Sequence, residues 1–192
     1  MPAPAPLSDD DLFLLSYYRN SEINGSLFFG RLARVLKPGP IQHDISKHFA
    51  DEAQHAWYWT RCIDALGARP IKMTEAYQDQ YLEAAGVPAN LMEVLAITLV
   101  FERRVINQYT RHRAVPGLDP HVTETIDLIM ADEKWHVRWV RDALTGLEDR
   151  YGAADVAATL ERCRQADRDV HARTLAELAE RVPFLKADHP WP

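Results

Sequence analysis

Asp51-Glu52-Ala53-Gln54-His55 has a near copy further along the chain, Asp132-Glu133-Lys134-Trp135-His136. In each run a Glu and a His stand three residues apart, which puts both side chains on one face of a helix, about one turn apart. Carboxylate and imidazole on one face are what a transition-metal site requires of a helix. Each run also has a lone Glu upstream: Glu22 precedes Glu52 by 30 residues, and Glu102 precedes Glu133 by 31. The same unit therefore occurs twice, a Glu on one helix and Glu-x-x-His on the next. With 12 Glu and 8 His in 192 residues, composition alone supplies about half a Glu-x-x-His pair by chance, and roughly 0.04 once the preceding Asp is required. Two such copies are an event of about one in a thousand on composition.

The rest of the composition sets bounds. A chain of 192 residues with 47% apolar content suffices for one well-buried domain and is short for two. The net charge of −6 comes with no basic block of the kind that marks a nucleic-acid surface, so no nucleic-acid partner is expected. Cys62 and Cys163 are isolated. Without a CxxC pair the chain has neither a rubredoxin-type iron site nor a zinc ribbon, and no disulfide framework. Free thiols suit a reducing cytosol, and a cytoplasmic location is expected. Met1-Pro2-Ala3-Pro4-Ala5-Pro6 lacks the basic region and apolar core of a signal peptide. No apolar stretch approaches the length of a membrane span.

Periodicity predicts an all-α chain. Residues 1–8 read as a flexible Pro/Ala tail. Ser8 followed by Asp9, Asp10 and Asp11 caps a first helix running to about Leu36, with Leu15, Tyr18, Glu22, Gly25/Ser26, Phe29 and Ala33 on its inward stripe. Glu22 thus sits in an apolar face, and Gly25 and Ser26, one turn on, leave room beside it. The second helix, about Ile41 to Leu66, turns Ile45, His48/Phe49, Glu52, His55/Ala56, Trp59 and Cys62/Ile63 inward. A connection of about four residues makes these two antiparallel neighbours. Ala68 to Pro88 reads as a crossover with a short helix over Thr74 to Ala85. A third long helix, to Ala114, carries Leu91, Leu95, Thr98/Leu99, Glu102, Val105/Ile106 and Tyr109. A fourth, from the Pro116–Pro120 turn to Leu147, carries Val122, Ile126, Ile129/Met130, Glu133, His136/Val137, Val140 and Leu144. A charged helix over about Ala153 to Arg181 is expected across the outside, then an extended arm over Val182 to Pro192. The expected organisation is a bundle over 9–147 and a C-terminal helix and arm over 148–192.

All four long helices thus place an acid at mid-length on the face to be buried. Four ionised carboxylates in one interior would repel one another or take up protons. Two divalent cations supply the matching charge, with neutral imidazoles completing their shells. Oxygen-rich ligation with one His per ion favours iron or manganese over structural zinc.

This arrangement resembles the ferritin-like di-iron and di-manganese carboxylate superfamily across roughly Ser8 to Leu147: one Glu from each of two helices, and Glu-x-x-His from each of the other two. The resemblance implies an antiparallel four-helix bundle with a long crossover between helices two and three. It implies that Glu22, Glu52, His55, Glu102, Glu133 and His136 are ligands and the catalytic residues. Glu52 and Glu133 would bridge two iron ions (or manganese, or one of each), with Glu22 and His55, and Glu102 and His136, as terminal ligands. Similar DExxH runs in bacterial multicomponent monooxygenases imply that Asp51 bonds His136 and Asp132 bonds His55. Those enzymes commonly carry Arg before the His, where Gln54 and Trp135 stand here. Tyr18, one turn before Glu22, and Tyr109, two turns after Glu102, could bond a ligand or pass electrons, although core tyrosine is the plainer reading of each. His48 reads as a satisfied core or rim histidine. Trp57, Trp135 and Trp139 lie off the ligand stripe and read as packing or dimer-contact residues.

Two classes of function follow. Relatives imply an oxidoreductase that uses O2 or hydrogen peroxide to oxidise an unknown small organic substrate, with electrons from a separate donor. The alternative is a ferroxidase feeding an iron-storage cage, as in ferritin or bacterioferritin. The long charged tail and the crossover helix favour a non-cage monomer or homodimer and hence the enzyme. A redox-inert helical interaction protein is a third class, and would require a metal-free site.

Overall fold

The computed structural model describes residues 7–73, 77–178 and 181. The described residues are helical and contain no strand, in the order α1 (Asp9–Val35), α2 (Pro40–Ala65), α3 (Tyr77–Ala85), α4 (Leu91–Arg113), α5 (Pro120–Gly146), α6 (Glu148–Tyr151) and α7 (Ala153–Leu178). The long helices fall where periodicity placed them. Most of the N-terminal tail and the arm over Val182 to Pro192 lie outside the described residues. Among the described residues no helix is long and apolar enough to cross a membrane.

Local chemistry fixes the helix ends. Ser8 Oγ accepts from the Asp11 amide at 3.0 Å, with three acids in the first turn where the helix dipole favours them. Asn90 Oδ1 accepts from the Glu93 amide at 3.1 Å while Glu93 Oε2 accepts from the Ala89 amide at 2.8 Å. That reciprocal bonding starts α4 firmly. Gly67, at φ 76°, takes the left-handed conformation that ends α2 and lets the Ala68 amide reach the Ile63 carbonyl at 3.1 Å.

The chain forms two compact units, Met1–Ala76 with Gly117–Asp127, and Tyr77–Pro116 with Leu128–Pro192. In the first, α1 and α2 are antiparallel, as partners down their length show. Arg19 Nε donates to Thr60 Oγ1 at 2.7 Å, Tyr18 packs on Trp59 at 5.2 Å between ring centroids, and Gln42 Nε2 donates to the Ala33 carbonyl at 3.2 Å. Leu15, Ile45, Trp59 and Ile63 are fully buried. Ser16 Oγ accepts from the Ile71 amide at 3.0 Å, tying the chain beyond α2 back onto α1. Cys62 is bonded by Thr125 of early α5, and burial pushes its thiol up to about 11. It is a packing residue and no nucleophile at neutral pH.

In the second unit α7 covers one face of α4 and part of α3. Tyr81 Oη donates to the Cys163 carbonyl at 3.1 Å, and its ring meets Phe101 edge-on at 4.7 Å. Arg104 and Asp167 form a buried ion pair that joins α4 to α7. This cover explains why α4 is buried almost all round from Met92 to Val100, where a single inward stripe was expected. His171 of α7 lies near Arg104 and Arg111, and burial, with those charges, lowers its pKa to about 4, so it is neutral at physiological pH.

Candidate metal centre

All six residues singled out as ligands are buried: Glu22, Glu52, His55, Glu102, Glu133 and His136. Each unit holds one half of the set, and in each half the His Nδ1 lies 3.6 Å from the upstream Glu.

In the first unit, Glu22 comes from the middle of α1, and Glu52 and His55 come from the facing turn of α2. His55 Nδ1 lies 3.6 Å from Glu22 Oε2. One ligand-type atom from each of Glu22, Glu52 and His55 lies within 4.8 Å of the other two. In the second unit, His136 Nδ1 lies 3.6 Å from Glu102 Oε2 and 3.2 Å from Glu133 Oε2. The separation of 3.6 Å recurs in both halves. It is long for a hydrogen bond, but it suits two atoms that share an ion. With metal–ligand bonds of about 2.1 Å, neighbouring ligand atoms sit roughly 3.0 Å apart and opposite ones about 4.2 Å apart. These buried Glu and His groups can hold a metal ion.

Gly25 has a role that differs from the one its position suggested. A Cβ built at residue 25 would overlap Glu52 Oε2, so the space one turn after Glu22 is taken by the carboxylate of α2. Only a residue without a side chain lets Glu52 lie as it does. Because Gly within a helix costs about 1 kcal/mol relative to Ala, Gly25→Ala should leave the metal-free protein as stable as the wild type or slightly more so. The Glu52 carboxylate is the flexible end of its side chain and would swing aside. Metal affinity is therefore expected to fall by about tenfold or more. Parallel thermal denaturation and metal titration check this, and unchanged affinity would show the space to be idle.

His48 is buried, as a core histidine would be, and its Nε2 lies 3.1 Å from Glu52 Oε1. Asp51 is partly buried and paired with Lys47 one turn earlier, a partner the sequence reading did not supply. Tyr18 and Tyr109 are both buried. Trp139 is buried and packs on Trp135 with centroids 6.0 Å apart, whereas Trp57 is 53% exposed. Trp135 is half-buried, so of the three tryptophans Trp57 retains the most surface for a dimer contact.

Comparison of the sequence with protein-family models finds no match, and comparison with curated proteins finds none either. The case for a metal centre rests on the residues themselves.

Proposed function

We propose that this chain is a di-metal carboxylate oxidoreductase of the ferritin-like kind, its bundle formed by α1, α2, α4 and α5 and its cofactor two iron ions or their manganese equivalents. The observation that supports this reading is the repeated buried triad, Glu22, Glu52 and His55 in one unit and Glu102, Glu133 and His136 in the other. Glu52 and Glu133 would each touch both ions, with Glu22 and His55, and Glu102 and His136, as terminal ligands. When bound, the ions supply the capacity to react with O2 or hydrogen peroxide and so to oxidise an organic substrate.

The protein's own groups do the holding and tuning. Four buried carboxylates match the charge of two divalent ions, which answers the cost of burying them. In each half the His Nδ1 faces the upstream Glu, which would leave the ring's Nε2–H as the outer donor. Asp132 for His55, and Asp51 for His136, would accept that proton and fix the tautomer. Electrons would come from a separate donor.

The test is to load metal-free protein anaerobically with Fe(II), then expose it to O2 or hydrogen peroxide. Two iron ions per chain, oxidised together in a monomer or dimer, are expected. Protein that retains no iron would favour a helical interaction protein, and a many-subunit hollow shell on gel filtration would favour iron storage. Either result would overturn the proposal.

A further inference from the structure

The two halves agree in all six ligand positions and in the recurring 3.6 Å separation, yet they differ at one buried position nearby. Four residues before Glu52 stands His48, and four residues before Glu133 stands Ile129. Both are 0% exposed, so this helical position is interior in α2 and in α5. One copy offers a nitrogen donor there and the other a hydrocarbon.

The donor is aimed. His48 Nε2 lies 3.1 Å from Glu52 Oε1, the separation expected of two neighbouring ligand atoms on one ion. The imidazole stacks on Phe29 of α1, with ring centroids 3.9 Å apart, which restricts its rotation. His48 and Glu52 also belong to a group of buried ligand-type atoms lying within 4.8 Å of one another. Along α2, His48 is one turn before Glu52 and His55 one turn after it, so the carboxylate is flanked by imidazole on both sides. Each Glu52 oxygen has a defined environment, Oε1 against His48 and Oε2 against Gly25.

We propose that His48 is a further metal ligand, bonding through Nε2 to an ion that Glu52 also binds. The centre then carries three imidazoles in place of two. Because Ile129 denies α5 the same donor, the two metal positions are chemically unequal, and the position with the extra imidazole is the more nitrogen-rich. This rests on the two-ion reading above, and it breaks the symmetry that the sequence repeat suggests.

The experiment is a count of imidazoles in Fe(II)-loaded protein by X-ray absorption, alongside anaerobic Fe(II) titration, on the wild type and on His48→Gln. Gln keeps an amide N–H that can bond Glu52, so it preserves a purely positioning role while removing the imidazole. Wild type is expected to show three imidazoles per two ions and His48→Gln two, with one of the two binding steps weakened about tenfold or more. Weaker binding alone would fit a positioning residue, so the imidazole count decides. Two imidazoles per two ions in the wild type overturn the inference and leave the two-ion reading intact. Fewer than two ions per chain in the wild type overturns both. Since the decisive count is made on the unaltered protein, a variant that fails to fold does not remove the test.

Discussion

Alanine at Glu52 or at Glu133 is expected to leave the protein with fewer than two metal ions per chain, while its helical content is kept. Each of these carboxylates is buried, and each is proposed to touch both ions, so its loss removes one ligand from each of them. It also removes a unit of negative charge from a place where the two proposed divalent ions would have to be balanced. The second ion then faces net positive charge in a poorly solvated interior, a penalty of several kcal/mol that the remaining ligands do not offset. The metal-free variant should not be less stable than metal-free wild type on electrostatic grounds, because one buried acid has gone. Glu22→Ala makes the contrast. Glu22 faces His55 Nδ1 across 3.6 Å and is proposed to serve one ion only, so binding at that ion should weaken and the other should persist. Elemental analysis after gel filtration reads both results. Two ions per chain in Glu52→Ala or Glu133→Ala would refute the bridging assignment.

What made the six residues legible is that most of their geometry is local. Glu52 with His55, and Glu133 with His136, are one turn apart on their own helices, so helical periodicity alone brings each pair together. Glu22 and Glu102 stood out as acids on apolar stripes, and all six residues are buried. Helix ends were legible where capping chemistry marks them, as at Ser8. Contacts that depend on a neighbouring helix were not. The room left by Gly25 was read as serving Glu22 on the same helix, but it receives Glu52 from α2. The same gap affects His48, for which helical spacing shows a nearby Glu and the Phe29 stack from α1 supplies the orientation.

The largest omission was on α4. A helix read with one inward stripe gives no reason to bury Arg104, and the expectation that the C-terminal helix lies on the outside gives no reason to bury Asp167. Arg104 is 6% exposed and Asp167 0%, and they pair across 63 residues of sequence. Nothing in local pattern links them, and each alone resembles a surface charge. Once α7 is seen against α4, the pair becomes its polar anchor. Arg104 also lies two residues after Glu102, on nearly the opposite side of the helix. The face of α4 bearing Glu102 meets His136 of α5, while the face bearing Arg104 is held by α7.

Asp167→Ala is therefore expected to destabilise the metal-free protein by about 3–5 kcal/mol, because it leaves the Arg104 guanidinium buried without the carboxylate that neutralises it. Arg104→Ala should cost a similar amount by stranding Asp167. Replacing both together, for example with Arg104→Met and Asp167→Leu, should recover most of the loss, since a well-packed apolar pair commonly matches a buried ion pair in stability. Urea denaturation of the three variants checks the scheme, and a double variant as unstable as the sum of the singles would show that the two residues act independently. Metal titration of the double variant adds a second question. If the ion pair also sets the rotation of α4, restoring stability without the pair should still weaken binding of the ion proposed for Glu102 and His136 relative to the one proposed for Glu22 and His55. Equal weakening of both ions, or of neither, would confine the Arg104–Asp167 pair to holding α7 in place.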